Sequence, residues 1–403
     1  MRADLIVVGG GLVGLATARA ALAARPGLRV TVVEKEPAVG RHQSSRNSGV
    51  LHAGLYYRPG SRKAAFCQAG KARMEAFCDA EGIPFVRSGK VVVAVDGAEV
   101  PRLDALQERA AQNGVAVVRL DADGLRKHEP HAAGVAALWV PSTGVTDFGA
   151  VADRMALRLL EAGAELRTGT SVVGGRETAA GVVVETDRGP IEARALVTCA
   201  GLWADRVAKQ FGARPSVELV PFRGEYVALR PAAADLVHGL IYPVPDPALP
   251  FLGVHLTRRI DGTVDAGPSA ALAFARDGYR LRDVRLGDLG EALGSAAFRR
   301  LARRHLRSGL GELSRSLSLR VFWNAARRLV PELALDDLVR APSGVRAQAL
   351  HPDGTLADDF VIESTARAVH VINAPSPAAT ASLAVGEVIA EQVLARLQGA
   401  PAT

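Results

Sequence analysis

The chain has 403 residues, 48% of them hydrophobic, so it can bury large cores and is predicted to fold into two or three domains. Its 41 glycines and 22 prolines follow no period, and the three cysteines lack metal-ligand spacing, which excludes fibrous folds and predicts neither a disulfide nor a metal site. The net charge of +7 is concentrated in one segment, because residues 276–328 alone contain thirteen arginines and five acids.

The N-terminal residues have the pattern of a βαβ unit. The apolar runs and helix formers predict a strand, a helix and a second strand at Leu5–Val8, Leu12–Ala24 and Val30–Val33. Asp4 and Arg19 interrupt this apolar stretch, so we expect neither a signal peptide nor a membrane span here.

Between these elements lie the residues of a dinucleotide site. Gly9 permits a tight turn, Gly11 lets main chain approach a pyrophosphate, and Gly14 lets the helix pack closely on the strand. Glu34, followed by Lys35, ends the second strand, where a carboxylate accepts hydrogen bonds from a ribose and disfavours NADP. The unit therefore predicts binding of NAD or FAD.

Residues 39–60 follow as a long irregular loop rich in histidine, tyrosine and polar side chains, which is typical of a functional loop. We expect it to run along a bound FAD towards the flavin ring. The cofactor-binding candidates in this loop are Ser45, Arg46, Asn47, Ser48 and Gly49. Because no second glycine fingerprint follows a strand, one dinucleotide must carry the redox chemistry, with the organic substrate as reductant.

Several motifs resemble the L-2-hydroxyglutarate dehydrogenase (oxidase) family of D-amino-acid-oxidase-like FAD enzymes. They are IVVGGGLVG, VVEKE, HQSSRNSGVLHAGLYYRPGS, PFRGEY, IYPVPDP, GVRAQAL and NAPSPAAT. The resemblance implies FAD as cofactor, oxidation of a 2-hydroxy dicarboxylate, (S)-2-hydroxyglutarate, to 2-oxoglutarate, and a quinone or similar electron acceptor at a membrane surface. The chain departs from the family pattern at Arg46, where family members have a histidine.

The fold class predicted is α/β, a discontinuous Rossmann-like FAD-binding domain joined to an α+β substrate domain built on an antiparallel sheet. The FAD-binding domain is predicted at residues 1–84, 147–217 and 341–403, and the substrate domain at residues 85–146 and 218–340. In the first, we expect a helix at Asp147–Ala162 capped by Asp147, and a cofactor contact at Gly201.

Two further regions are predicted to surround the flavin. Pro375, Ser376 and Pro377 precede an apolar helix, and the N–H groups of its first turn would stabilise negative charge on the flavin. Antiparallel strands are predicted at Leu219–Leu229, at Phe251–Thr257 and, after a turn at Asp261-Gly262, at Val264–Ala266.

Oxidation of a 2-hydroxy acid needs a base for the hydroxyl proton and cations for the carboxylates. Histidine suits the first task near neutral pH, and we favour His52 over His255. Guanidinium groups bind carboxylates bidentately. The candidates for substrate binding are Arg258, Arg346, Arg223, Tyr242, Tyr57 and Gln348.

The basic segment 276–328 contains a predicted amphipathic helix at Gly294–Arg307, which suits either an acidic membrane surface or an ordinary solvated face. With few aromatic residues, nucleic acid is not expected as a partner. We expect a cytoplasmic protein, peripheral on the inner face of the cell membrane. The open alternatives are an amine oxidase of the glycine or sarcosine type, a relative of glycerol-3-phosphate dehydrogenase, and a flavin-binding membrane protein without activity.

Overall fold

The computed structural model describes residues 2–246, 253–267, 270–305, 309 and 318–397. Its strands are β1 Ala3–Val8, β2 Val30–Val33, β3 Val50–Leu51, β4 Phe85–Val86, β5 Lys90–Ala94, β6 Val118–Asp121, β7 Ala136–Val140, β8 Gly144–Thr146, β9 Glu165–Arg167, β10 Val172–Thr178, β11 Gly181–Thr186, β12 Ile191–Thr198, β13 Glu218–Gly224, β14 Val227–Leu229, β15 Leu240–Pro243, β16 His255–Arg258, β17 Val264–Gly267, β18 Ala271–Leu272, β19 Leu338–Arg340, β20 Gly344–Leu350, β21 Val361–Ser364 and β22 Ala368–Asn373. Its helices are α1 Leu12–Ala24, α2 Arg62–Glu81, α3 Val100–Gln112, α4 Ala122–His128, α5 Phe148–Glu161, α6 Ala204–Gln210, α7 Leu286–Gly294, α8 Ala296–Arg304, α9 Leu319–Ala326 and α10 Ala378–Leu397.

The first large sheet has the order β10-β11-β12-β1-β2-β9, with β22 paired to β12 and β21 to β22. β1, β2, β9, β12 and β22 pair in parallel, whereas β10, β11 and β21 are antiparallel additions. Apolar side chains of α1, α2, α5 and α10 form one buried cluster with β1 and β2. This arrangement confirms the Rossmann-like fold, and α1 and β2 have the predicted bounds.

The turn between β1 and α1 is as tight as the glycine spacing predicts. Gly9 has a φ of +111°, and a Cβ there would lie 2.3 Å from the main-chain oxygen of Cys199. At Gly14 a Cβ would lie 2.0 Å from the oxygen of Gly9, so only glycine lets α1 approach the turn. Asp147 caps α5 as predicted, since its Oδ1 accepts from the N–H of Gly149 at 2.7 Å.

Helix α10 runs through the middle of this unit, against α1 and α2. Close approach is possible because Gly386 and Gly70 lack side chains, and a Cβ at either would lie within 2.6 Å of the neighbouring helix's main chain. By length and composition alone, α10 could also cross a membrane, yet 56% of its most apolar window is buried inside the protein. The core helix of a globular protein passes the same test, so this finding does not indicate a span.

The second large sheet has the order β19-β14-β17-β16-β15-β5-β7-β6, and each neighbouring pair is antiparallel except β15 with β5. The predicted hairpin is confirmed where β16 pairs with β17, and Gly262 in its turn has a φ of +82°. Phe251, the predicted start of its first strand, lies outside the described residues.

The single strand predicted at Leu219–Leu229 is wrong. The structure has two strands there, β13 and β14, which belong to different sheets. β13 pairs with β18 and β20, whereas β14 pairs with β17 and β19, so the chain changes sheets at Glu225 and Tyr226. The two predicted domains share sheets in two places, at the β13–β20 pair and in the small sheet β3-β8-β4. We propose that the chain forms the two predicted domains and that they are joined at the β13–β20 pair and at the sheet β3-β8-β4.

The basic amphipathic helix predicted at Gly294–Arg307 corresponds to α8, which begins two residues later than predicted, at Ala296. α7 ends at Gly294, and Ser295 starts a new helix because its Oγ accepts from the N–H of Phe298 at 3.0 Å. The apolar side of α8 is buried against β13, through Ala297 and Leu301. Its exposed arginines are Arg299, Arg300, Arg303 and Arg304. Leu306 and Arg307 lie outside the described residues.

Candidate active site

A cavity of about 810 Å³ runs from the glycine turn of β1–α1 to the second large sheet, and its volume is typical of ligand pockets. The predicted residues that line it are Gly9, Gly11, Glu34, Lys35, Arg46, Asn47, Ser48, His52, Tyr57, Gly201, Tyr242, His255, Arg346, Gln348, Pro375, Ser376 and Pro377. The predicted residues absent from its lining are Gly14, Ser45, Gly49, Arg223 and Arg258. One continuous cavity therefore joins the predicted cofactor and substrate residues.

Glu34 marks the nucleotide end of the cavity. Its Oε2 accepts from the N–H of Gly10 at 2.7 Å, and its Oε1 accepts from the N–H of Glu36 at 2.9 Å. The carboxylate is 9% exposed, and these two bonds fix its orientation. Beside it, the first turn of α1 presents main-chain N–H groups with no partner inside the helix. This donor and acceptor set fits a pyrophosphate and a ribose.

The loop after β2 is held in shape by its own side chains. Asn47 Nδ2 donates to the main-chain oxygens of Gln43 and Ser44, at 2.9 and 2.8 Å, and Asn47 Oδ1 accepts from Gly49 N at 2.9 Å. Ser44 Oγ accepts from Leu12 N at 3.0 Å, which ties the loop to the start of α1. Direct cofactor contact by these loop residues stays a prediction.

Tyr279, which sequence reasoning missed, packs over this loop. Its hydroxyl lies 2.5 Å from His42 Nδ1, and the Arg46 guanidinium lies 3.9 Å from its ring centroid. The predicted Lys35 places its Nζ 4.0 Å from the ring centroid of Trp203. Tyr279 is 237 positions from His42 in the chain, so no local signal could reveal the contact.

The first turn of α10 anchors the histidine-bearing part of the loop. Thr380 Oγ1 donates to the oxygen of Val50 at 3.1 Å and accepts from the N–H of His52 at 3.1 Å. Next to it, the Ser376 side chain bonds the hydroxyl of Tyr57, although burial still raises the pKa of Tyr57 well above its ordinary value. The helix predicted after Pro375–Pro377 therefore fixes the position of His52, through a threonine that the sequence did not single out.

The two predicted histidines line the same cavity, and both are neutral at physiological pH. Burial, with repulsion from Lys90, His255 and Arg346, lowers the pKa of His52 to about 3. Burial lowers the pKa of His255 to about 4, against the hydrogen bond of its Nδ1 to the oxygen of Gly253 at 2.9 Å. Each can therefore act as a proton acceptor without first losing a proton.

Of the three arginines predicted to bind substrate, Arg346 is the one that lines the cavity. It stands on β20, and its side chain is exposed within the cavity wall, two positions from Gln348. Tyr242 lines the same region and is almost fully buried, with its ring centroid 4.1 Å from that of His255.

Arg223 and Arg258 correct the prediction, because both lie away from the cavity. Residues three apart on a strand point to opposite faces, so Arg258 cannot accompany His255. Its guanidinium donates to the main-chain oxygens of Ala234 and Val237 instead, at 3.2 and 3.0 Å. Arg223 is 1% exposed and pairs through Nε with Glu225 Oε1 at 2.6 Å.

A second cation lies behind the cavity wall at the histidine end. Lys90 begins β5 and is 1% exposed, with its Nζ 4.4 Å from the ring centroid of Tyr56 and 5.0 Å from that of Tyr242. Burial lowers the pKa of Lys90 to about 7. A lysine opening the apolar strand KVVVA was the one sequence signal for it.

The acids of the cavity do not balance these cations. Among the described lining residues the carboxylates are Glu34, bound by two main-chain N–H groups, and Asp358, paired with Lys63 at 2.8 Å. The part of the cavity that holds Arg346 and the two histidines is therefore electrostatically suited to an anion.

Comparison with known proteins identifies relatives along nearly the whole chain. The family model described as FAD dependent oxidoreductase matches residues 4–392. L-2-hydroxyglutarate dehydrogenase of Escherichia coli (strain K12) is 46% identical over 97% of this chain and 93% of that protein. The enzyme of the same name from Indibacter alkaliphilus is 43% identical over 98% and 99%. The FAD-bound L-α-glycerophosphate oxidase of Mycoplasma pneumoniae has the same fold, with a TM-score of 0.80 and 21% identity over 100% and 96% of the two chains.

Proposed function

We propose that the chain, which belongs to the family of FAD-dependent oxidoreductases and within it to the L-2-hydroxyglutarate dehydrogenases, oxidises L-2-hydroxyglutarate to 2-oxoglutarate. FAD is its cofactor. The observation that carries the proposal is the histidine end of the cavity, where two neutral histidines lie with Arg346 and, among the described residues, with no free carboxylate. A doubly anionic 2-hydroxy acid suits that combination.

The cavity supplies what FAD binding needs. The N–H groups at the start of α1 would hold the pyrophosphate, and the Glu34 carboxylate would accept hydrogen bonds from the ribose. Bound FAD would supply at N5 the acceptor for the hydride that the substrate gives up from Cα. The residues of the chain then have two tasks, to hold the carboxylates and to take the hydroxyl proton.

His255 suits the second task best. Its Nδ1 lies 2.9 Å from a carbonyl oxygen, which can only accept, so the proton of the neutral ring is on Nδ1 and Nε2 carries the lone pair. The pKa of about 4 means that the ring is unprotonated when substrate arrives. His52 lines the same cavity with a main chain fixed by Thr380, and it is the alternative base. Loss of the hydroxyl proton to Nε2 as hydride leaves Cα yields the 2-oxo acid.

Arg346 would hold one carboxylate of the substrate by paired hydrogen bonds, and Gln348, Tyr242 and Tyr57 are the nearby hydrogen-bonding groups. This assignment needs only residues that line the cavity. Arg346→Met retains an unbranched apolar side chain without the guanidinium group and its charge, and it should weaken binding of 2-oxoglutarate to the holoenzyme.

The test of the proposed function is the visible spectrum of the holoenzyme without oxygen. Addition of L-2-hydroxyglutarate should bleach the flavin, whereas glycine, sarcosine and glycerol 3-phosphate should leave it oxidised. The D enantiomer is the matched control for the stereochemistry. Bleaching by an amine or by glycerol 3-phosphate, with none by the hydroxy acid, would reject the proposal in favour of a related enzyme of the same fold.

We further propose a quinone-type electron acceptor and contact with an anionic membrane surface from the cytoplasmic side. The basic segment supports the membrane contact, because α8 exposes four arginines and the residues that precede it in the segment expose apolar side chains. These side chains are Leu281, Val284, Leu286 and Leu293. Holoenzyme should sediment with vesicles that contain phosphatidylglycerol, and the joint change Arg303→Gln and Arg304→Gln should reduce this. Equal sedimentation with vesicles of neutral lipid would contradict the proposed contact with an anionic membrane.

A further inference from the structure

Lys90 has no part in the proposed function so far, although it lies directly behind the substrate end of the cavity. Its ammonium faces the rings of Tyr56 and Tyr242, and both rings line the cavity. Tyr242 in turn packs on the ring of His255. The ammonium therefore contacts two aromatic rings that form part of the cavity wall.

The other lysines with restricted exposure have acidic partners. Lys63 pairs with Asp358 at 2.8 Å and Lys71 with Glu75. Within the described part of the chain, no carboxylate lies within 4 Å of the Lys90 ammonium, and its contacts are the two tyrosine rings. A buried charge without a partner destabilises a folded protein, so its presence beside a cavity points to a ligand that compensates it.

In the part of the chain that the structure describes, the groups packed around Lys90 contain no free negative charge. Cys67 on α2 is a buried thiol whose Sγ donates to the oxygen of His52, and burial raises its pKa to about 12. His52, His255 and Arg346 are neutral or cationic. Glu129, a buried acid near the start of β15, accepts from the N–H groups of His238 and Gly239. Each titratable group near Lys90 is thus neutral, cationic or already bonded.

We propose that Lys90 is a positioning residue of the substrate end, whose positive charge selects a doubly anionic substrate and adds to the effect of burial in disfavouring a positive charge on the neighbouring histidines. This inference rests on the proposed function for the identity of the substrate. The ammonium acts through the rings of Tyr56 and Tyr242, and the second carboxylate of the substrate compensates a charge that the protein leaves unpaired.

Two consequences separate this role from a structural one. First, loss of the charge should weaken binding of a dicarboxylate more than binding of a monocarboxylate of the same class. Second, because the charge of Lys90 lowers the pKa of His52 and of His255, its removal should raise both pKa values. A residue that merely fills space would change neither the selectivity nor the titration.

The experiment compares Lys90→Met, Lys90→Arg and the control Lys127→Met, which removes an exposed lysine of α4. Reduction of the flavin by L-2-hydroxyglutarate and by L-lactate is followed without oxygen. We expect Lys90→Met to reduce the preference for the dicarboxylate by on the order of tenfold to a hundredfold. Lys90→Arg should retain the preference, and Lys127→Met should match the unaltered protein.

Titration of ¹⁵N-labelled histidines by NMR, in holoenzyme without substrate, gives a readout that does not need the proposed reaction. A higher pKa for His52 or His255 in Lys90→Met supports the proposal. Unchanged histidine titration together with an unchanged preference in folded, flavin-loaded Lys90→Met overturns it. If the unaltered protein is not reduced by L-2-hydroxyglutarate, the proposed function fails, and the histidine titration still decides the role of Lys90.

Discussion

Replacement of Lys90 by methionine should make the protein more stable while it makes the enzyme less selective. Methionine has a similar length and no charge, and the pocket formed by Tyr56 and Tyr242 is already apolar. A buried ion that lacks a partner often gives way to an apolar residue with a gain in stability. The two tyrosine rings compensate only part of the missing hydration.

The size of the expected gain in stability follows from the pKa of Lys90. An ordinary lysine has a pKa of 10.5, and burial lowers that of Lys90 to about 7. The difference of about 3.5 units corresponds to about 5 kcal/mol of unfavourable free energy for the charged form in the folded state. Because the methionine side chain does not repeat the contacts of the ammonium with the two rings, we expect a net gain of about 1–4 kcal/mol.

The gain should depend on pH in one direction. The folded protein gives up the Lys90 proton at a lower pH than the unfolded chain, so the unfolded state binds more protons between about pH 7 and 10.5. The penalty from Lys90 is therefore fully present below about pH 7 and decreases as the pH rises towards 10.5. The stability difference between Lys90→Met and the unaltered protein should shrink over the same interval.

Urea unfolding with equal saturating FAD, followed by tryptophan fluorescence at several pH values, measures this difference. The midpoint comparison needs the same FAD occupancy, because a ligand bound to the folded state shifts the apparent stability. A Lys90→Met protein that is less stable at neutral pH, or whose difference from the unaltered protein does not change with pH, would refute the reasoning.

Four other substitutions and one pH profile test the cavity. Glu34→Gln removes the charged acceptor for a ribose and should weaken FAD binding by about tenfold to a hundredfold, measured by the fluorescence of released flavin. His255→Asn should slow flavin reduction by about 10²–10⁴-fold, and a larger effect of His52→Asn would assign the base to His52. In the unaltered enzyme the rate of flavin reduction should persist below the usual histidine pKa, because burial lowers the pKa of His255 to about 4, and a fall near pH 6.5 would contradict this value. Arg346→Met should weaken 2-oxoglutarate binding by about tenfold or more, read from the flavin spectrum, and unchanged binding would remove Arg346 from the site.

The parts of the fold that sequence predicted correctly are those fixed by neighbours in the chain. The strand, glycine turn and helix at the N-terminus depend on residues within one βαβ unit, and α1 has the predicted bounds. Asp147 caps the helix that begins one residue later. The division of Leu219–Leu229 into two strands depends instead on partners far along the chain, since Gly224 pairs with Gly344. The same apolar pattern fits one strand or two, and pairing with β20 decides between them.

The residues of the candidate site fall into the same two groups, those placed by neighbours in the chain and those placed by distant partners. Glu34 was predictable because one helix and one strand set its distance from Gly14. Glu34 lines the nucleotide end of the cavity, and Gly14 lets α1 pack closely on the turn there. The prediction for Arg258 is wrong because closeness to His255 in sequence does not imply closeness in space, and the strand period of two separates their side chains. Tyr279 and Lys90 were missed since their contacts join distant segments. The positions of the side chains at the substrate end are set by segments that are distant in sequence and become neighbours only when the sheets have formed.

The pairing of buried charges explains why the substrate end can be recognised in the structure. Arg276 is as deeply buried as Lys90, but its two terminal nitrogens both bond Asp205, so it stabilises the link between the basic segment and α6. Lys90 has no such acid, Arg346 has no carboxylate within 4 Å among the described residues, and the hydroxyl of Tyr56 has no hydrogen-bond partner there. The charge of Arg276 is thus compensated within the protein, whereas Lys90, Arg346 and the Tyr56 hydroxyl at the substrate end are not. Binding of an anion would satisfy them together, so the affinity for a dicarboxylate and the lowered stability of the free enzyme have the same physical origin.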